Sequence, residues 1–271
     1  MATWPRPYRA PVPQRTTGIV AARRTGSVCS FRCAPARGVH TTVHLALHPA
    51  QSTRVAVELL RGPTPLASWC EQTGVRHAIV GGFFVRQGDG TPLGEVWLRG
   101  LRVPSVPFDA PWAATRSCVA IDDGHVVLAA RDQLPAQPRG DLLQAGPLLV
   151  ADGAPVVRPG VDPEGFSAGR RQFDSDITAG RYPRAALGVN NDWILAVACD
   201  GRSAHDTGLA LCELAELMAA LGADRAINLD GGGSTSLDHD GELRNTPREE
   251  HGIELLIGRP VATALVFEPR G

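Results

Sequence analysis

The sequence predicts an α+β fold: a mixed, largely antiparallel sheet with a few helices, in a single domain. Three observations support this. Hairpin signals recur along the chain, only one segment keeps helical periodicity for several turns, and regularly alternating strand–helix units are absent. The hairpins are Ser117–Ile121 with His125–Ala130 around Asp-Asp-Gly, Leu148–Val150 with Pro155–Val157 around Ala-Asp-Gly, and Arg184–Val189 with Trp193–Cys199 around Asn-Asn-Asp. The helix is Thr207–Ala220, whose Leu211, Leu214, Ala215, Met218 and Leu221 share one face ahead of Gly222.

The other elements follow in order. Residues 1–40 are rich in Pro, Arg and Thr and weakly periodic, so they read as a partly mobile segment ahead of a domain at 41–271. Val43–Leu47 and Arg54–Leu60 alternate as strands do. Pro65 suits the first position of a helix that Gly74 stops. His77–Val85 reads as an apolar strand broken at Gly81-Gly82, and Glu95–Val103 as a strand pair turning at Gly100. Ala226–Leu229 and Val261–Phe267 supply two more strands.

Composition excludes several function classes. The 271 residues carry a net charge of −1, so no global field attracts nucleic acid or an anionic membrane. No apolar run approaches a transmembrane helix. The first residues place prolines and arginines where a signal peptide has its apolar segment, which leads to the expectation of a cytoplasmic protein. All 27 basic residues are arginine. Without lysine there is no Schiff-base chemistry and no Walker-type phosphate loop. Cys70, Cys118, Cys199 and Cys212 lie in apolar segments as buried thiols do, and Cys29 with Cys33 is a weak metal spacing without a partner pair.

The densest chemistry lies at 226–236, Ala-Ile-Asn-Leu-Asp-Gly-Gly-Gly-Ser-Thr-Ser. Strand alternation points Asn228 and Asp230 the same way. Gly231, Gly232 and Gly233 let the backbone turn and bring amides close to an anion, and Ser234 adds a short donor. Asp200 and Asp230 end separate strands, and paired carboxylates are the usual machinery of glycoside cleavage. Arg184 and Arg202 each offer a fork for a phosphate. Each of these groups also has a plainer reading: Asp-Gly makes turns, a lone Arg solvates a surface, Asn245 forms a turn, Asp206 caps the long helix, and the flanks of Cys199 favour an inert thiol.

The segments Gly-Gly-Phe-Phe at 81–84, Ala-Gly-Pro-Leu-Leu at 145–149, Pro-Arg-Ala-Ala-Leu-Gly at 183–188, Asp-Gly-Arg-Ser at 200–203, Asn-Leu-Asp-Gly-Gly-Gly-Ser at 228–234 and Asn-Thr-Pro at 245–247 together resemble the phosphodiester glycosidase family. The resemblance spans roughly 42–268, and one departure is Val80, where the family usually has Asn. It implies a hydrolase cleaving the glycosyl C–O bond of a sugar-1-phosphodiester of the N-acetylglucosamine type. Asp230 or Asp200 would be nucleophile or base. Arg184, Arg202, Ser203, Asn228, Gly82, Gly231–Ser234 and Asn245 would bind substrate. A small-molecule partner follows, with no nucleic acid and no membrane. No cofactor and no obligatory metal are expected, although Asn228 and Asp230 could ligate a hard cation. The alternatives are an enzyme acting on a nucleotide-sugar or a masked biosynthetic sugar phosphate, a non-catalytic sugar-phosphate-binding module, and a structural domain.

Overall fold

A computed structural model of the chain describes residues 27–36, 38–85, 90–167, 177, 178 and 180–270. Three sheets organise them. The largest runs β1-β2-β13-β12-β14-β10-β11, with β1 Val28–Ala36, β2 Val39–Pro49, β10 Leu148–Ala151, β11 Ala154–Pro155, β12 Arg184–Val189, β13 Trp193–Cys199 and β14 Arg225–Asn228. A second runs β16-β15-β4-β17-β3, with β3 Thr53–Pro65, β4 His77–Val80, β15 Leu237–His239, β16 Glu242–Leu243 and β17 Pro260–Pro269. A third runs β6-β5-β9-β7-β8, with β5 Val96–Leu98, β6 Leu101–Arg102, β7 Ser117–Asp122, β8 His125–Ala130 and β9 Asp141–Gln144.

Every ladder between these strands is antiparallel. The expected mixed sheet is thus corrected, and with three α-helices among the described residues the described part is mostly β rather than an even α+β. Short turns suffice to join antiparallel strands, so few crossover helices are needed. The turns carry the left-handed residues that tight hairpins require: Asp123 (φ 47°) with Gly124 (φ 74°), and Asp152 (φ 49°) with Gly153 (φ 73°). Asn190 closes the third hairpin, its Oδ1 accepting the amides of Asp192 (3.0 Å) and Trp193 (2.8 Å).

The helices are α1 Leu66–Thr73, α2 Trp112–Thr115 and α3 Leu211–Ala220. Pro65 sits one position outside α1 rather than at its first turn. Helix α3 starts four residues later than its periodicity suggests. Gly208 there adopts φ 82°, a Cβ on it would lie 2.4 Å from the Tyr182 backbone, and Leu209 bridges to Tyr182, so residues 207–210 stay outside the helix. Asp206 does not cap α3. Its Oδ1 accepts from Thr42 N (2.7 Å) and pairs with Arg32, while Glu213 Oε2 accepts Ala210 N at 2.9 Å.

The large sheet is buried on both faces. One face packs Ala46, Ala185, Leu187, Ala196 and Ile227 against Val55, Val57, Ile79 and Leu265 of the second sheet and Val96, Val119 and Leu143 of the third. The other packs Leu45, Leu195 and Val197 under Leu211, Leu214 and Met218 of α3. Strand β1 was not expected. It extends the ordered domain below residue 41, because Cys29, Phe31 and Cys33 alternate onto the α3 face. The remainder of the expected mobile segment, residues 1–26, lies outside the described residues. Both cysteines are free thiols, and among the described residues no cluster of His, Cys, Asp or Glu is arranged to hold a metal ion. No described helix is long and apolar enough to cross a membrane.

Candidate active site

Strand β14 leaves the large sheet and the chain enters β15 of the second sheet within nine residues, 228–237. The glycine run makes this crossing. Leu229 N donates to Ala185 O (2.9 Å) and Gly232 N to Pro183 O (2.9 Å) on the large sheet, while Asp230 N donates to Gly81 O (3.0 Å) beside the second. Side chains are excluded where these backbones meet. A Cβ on Gly81 would lie 2.5 Å from Thr263 Oγ1, and one on Gly231 would lie 3.0 Å from Pro183 O.

Asp230 sits at the mouth of this crossing, half-buried, with Oδ1 accepting Gly231 N at 2.9 Å. Arg202 reaches the same loop. Its guanidinium lies 3.4 Å from where a Cβ of Gly232 would stand, and its Nη1 donates to Arg248 O at 3.0 Å. Arg202 is a non-glycine residue at φ 58°, a costly conformation found preferentially at functional sites. Its side chain stays 16% exposed, so solvent or a ligand can reach it.

Asp200 is placed differently from expectation. It is 5% exposed, and both oxygens are engaged: Oδ2 with His44 Nε2 (3.0 Å) and Oδ1 with Thr246 N (2.7 Å). A carboxylate so enclosed has little capacity left to attack a sugar. It anchors the 244–249 segment to the end of β13. Asn245 completes that anchor, with Oδ1 accepting Leu237 N (2.9 Å) and Nδ2 donating to Thr235 O (2.8 Å).

Several other expected binding groups are internal braces. Arg184, 2% exposed, donates from Nε to Leu209 O (3.0 Å) and from Nη2 to Ile177 O (2.6 Å) and Gly180 O (3.0 Å). Its Cδ still lies 3.9 Å from a Cβ built on Gly231, so it packs beneath the loop. Ser203 Oγ accepts Asp206 N at 2.9 Å and closes a local turn. Gly82 is buried, its N donating to Thr263 Oγ1 at 3.0 Å. The amides of Gly231, Gly232 and Ser234 bond to Asp230, Pro183 O and Gly231 O, so the glycine loop is not an open anion nest. Val80, at the family's usual Asn position, is fully buried in the core. Cys199 is no nucleophile: burial pushes its thiol up to about 12.

Asn228 donates from Nδ2 to Gly146 O (2.9 Å) and Leu229 O (2.8 Å), which directs its Oδ1 into the interior. That oxygen has no partner among the described residues, and neither do the hydroxyls of Ser234, Thr235 and Ser236. Four buried polar atoms on this short segment thus lack a protein partner among the described residues, a concentration that calls for an explanation.

Glu249 was missed in the sequence. It follows the Asn-Thr-Pro-Arg turn, and a Cβ on Gly233 would lie 2.8 Å from its Oε1. Its Oε2 is 4.0 Å from Arg202 Nη1, and Arg259 grips both its oxygens. Only its tertiary placement reveals it. A cavity of about 610 Å³ elsewhere, between Arg54, Arg99, Arg139 and Arg270, contains none of these groups.

Just past the loop, Asp238 on β15 is 1% exposed and its Oδ1 is unpaired. Burial pushes its carboxyl from an ordinary 3.8 up to about 6, against the amide of Gly241 that lowers it. A raised acid favours the protonated folded form. That contribution is complete below the unfolded value and is lost as pH rises through about 6. Asp238→Asn, which mimics the protonated form, should therefore raise the melting temperature by a few degrees near neutrality, or about 1–2 kcal/mol, and by little near pH 4. Equal gains at both pH values would show that the carboxyl does not titrate in this way.

Comparison with known proteins places this geometry. The sequence profile of the phosphodiester glycosidases matches residues 73–268, more than two thirds of the chain. No curated protein sequence gives a significant match. Among solved structures, the zebrafish N-acetylglucosamine-1-phosphodiester α-N-acetylglucosaminidase catalytic domain, auto-inhibited by its pro-peptide, superposes with a TM-score of 0.68 at 18% identity, over 90% of this chain and 83% of that one. A hypothetical protein from Synechocystis gives 0.61 at 18% identity, with 90% of this chain covering 62% of that one. A Burkholderia pseudomallei K96243 protein gives 0.63 at 16% identity, over 85% and 74%. At these identities the superpositions establish a shared fold, and the profile match over most of the chain establishes that it belongs to the phosphodiester glycosidase family.

Proposed function

We propose that the protein hydrolyses a sugar-1-phosphodiester at the glycosyl C–O bond, releasing free sugar and a phosphomonoester. One observation supports this most directly. Asp230 accepts the amide of Gly231, and the guanidinium of Arg202 lies 3.4 Å from a Cβ built on Gly232, so a half-buried carboxylate and a partly exposed cation both reach one glycine loop. Breaking a glycosyl–phosphate bond develops positive charge on the sugar ring and negative charge on the departing phosphate. Asp230 then serves the sugar side, as nucleophile or as base for water, and Arg202 the phosphate side. Phosphate leaves readily, so strong acid assistance is unnecessary. Glu249, beside Gly233 and Arg202, is the second carboxylate at the loop; Arg259 holds both its oxygens, but its side chain is more exposed than that of Asp200. Asp200 and Asn245 hold the segment that presents Glu249, and Arg184 braces the loop from below.

The direct test is incubation with an activated α-N-acetylglucosamine phosphodiester, with release of sugar and phosphomonoester as the readout. Binding without turnover would leave a sugar-phosphate-binding module. Phosphate release from the wrong bond would overturn the assigned cleavage. Arg202→Ala should raise KM and lower kcat together, each about tenfold or more, because the phosphate is held in the ground state and gains charge as it departs. An unchanged kcat with raised KM would restrict Arg202 to ground-state binding.

A further inference from the structure

A second arrangement of reactive groups lies at the open edge of the large sheet. Ser30 on β1 and His44 on β2 are cross-strand partners, with Ser30 Oγ 2.8 Å from His44 Nδ1. His44 Nε2 is in turn 3.0 Å from Asp200 Oδ2. His44 is 7% exposed and Asp200 5%, whereas Ser30 is exposed. The other Asp200 oxygen takes Thr246 N, so the carboxylate cannot rotate away. An ionised carboxylate has no proton to give, so Nε2 carries the imidazole proton and Nδ1 is left to accept from the serine hydroxyl.

The strand phase explains the close contact. Leu47 N donates to Ser27 O, and Asp200 N donates to Thr42 O. Odd-numbered β2 residues therefore bond towards β1 and even-numbered ones towards β13. Ser30 and His44 form a non-hydrogen-bonded pair, in which side chains approach most closely. The amide of Ser30 then points away from β2, and β1 is the edge strand of its sheet among the described residues. Hydroxyl, imidazole, carboxylate and an outward amide beside the hydroxyl together make a nucleophile, its base, the group orienting the base, and a donor for developing oxyanion charge.

We propose that Ser30 is an activated nucleophile, with His44 as its base and Asp200 positioning His44, and that it reacts with carboxylic and phosphorus esters that reach the sheet edge. In this step the Ser30 Oγ–C bond forms while the ester C–O bond breaks, or, for a phosphorus ester, Oγ–P forms while P–O breaks. The serine proton passes to His44 Nδ1 and on to the departing alkoxide, and water regenerates the serine by the same route. The proposal shares only Asp200 with the glycosidase reading, where it braces the 244–249 segment, and no group of the glycine loop takes part.

The test uses the intact chain and a biotinylated fluorophosphonate. Ser30 Oγ–P forms, P–F breaks, the proton goes to His44 Nδ1 and fluoride leaves. Peptide mapping should place one adduct on Ser30, absent in Ser30→Ala, whose exposed site tolerates the change. His44→Gln should slow labelling by at least about a hundredfold. If that variant fails to fold, the wild-type chain decides: Ser30 should be labelled at least about a hundredfold faster than any other serine of the intact chain. No adduct on Ser30, an undiminished rate in folded His44→Gln, or labelling of Ser30 no faster than of other serines would each overturn the proposal.

Discussion

Asp230→Asn should reduce turnover of a sugar phosphodiester by at least about a thousandfold, or about 4 kcal/mol of barrier, with KM little changed. The amide keeps the shape of the side chain and can still accept Gly231 N at Oδ1. What it loses is the charge that balances the sugar cation in the transition state. The half-buried position makes this a clean test, since the fold does not enclose the side chain. Kinetics and a thermal melt on the same preparation separate the outcomes. Lost turnover with an unchanged melt assigns Asp230 to chemistry. A matching fall in both makes it an anchor of the glycine loop. A stable variant with near-normal turnover moves the chemistry to Glu249.

The largest expected effect on stability is at Glu164. Its carboxylate, 6% exposed, accepts from Ser117 N (2.8 Å), Ser117 Oγ (2.9 Å) and Leu148 N (2.7 Å). Those donors belong to β7 of the third sheet and β10 of the large sheet, so one side chain ties the two together. Arg116 packs alongside, 1% exposed, between the rings of Phe108 (4.0 Å) and Phe166 (4.1 Å). Its Nε donates to Glu164 O (2.9 Å) and its Nη2 to Gly165 O (2.7 Å). Glu164→Ala would strand three buried donors and remove the nearest countercharge of a buried guanidinium. The expected loss is about 3–5 kcal/mol, or roughly 10 °C in melting temperature. A loss below about 1 kcal/mol would mean that water replaces the carboxylate.

The hairpins and helix α3 were legible because turn chemistry and periodicity are local. Asp-Gly and Asn-Asn-Asp fix their turns without help from the rest of the chain. Strand β1 also had a signal, the alternation of Cys29, Phe31 and Cys33, masked by its Pro- and Arg-rich surroundings. The start of α3 was not readable, because Leu209 is bridged to Tyr182, more than twenty positions upstream, which keeps 207–210 out of the helix. The same division applies at the site. The Asn-Leu-Asp-Gly-Gly-Gly-Ser run announced the loop. Whether a given arginine or aspartate faced the opening or braced the interior depended on partners remote in sequence: Leu209 for Arg184, His44 and Thr246 for Asp200. Glu249 stands in an Arg-Glu-Glu run that carries no motif of its own, and only the approach of Gly233 distinguishes it.

The glycine crossing has one more consequence. Its amides are stitched to Ala185 and Pro183 on one side and to Gly81 on the other, so the segment cannot shift without parting two sheets. The conformational entropy of these residues is surrendered when the chain folds, not when a ligand arrives. A substrate entering here meets a cradle already set and loses little affinity to ordering it. Under the proposed function, discrimination between substrates would then come from which groups fit the fixed loop rather than from a closing motion.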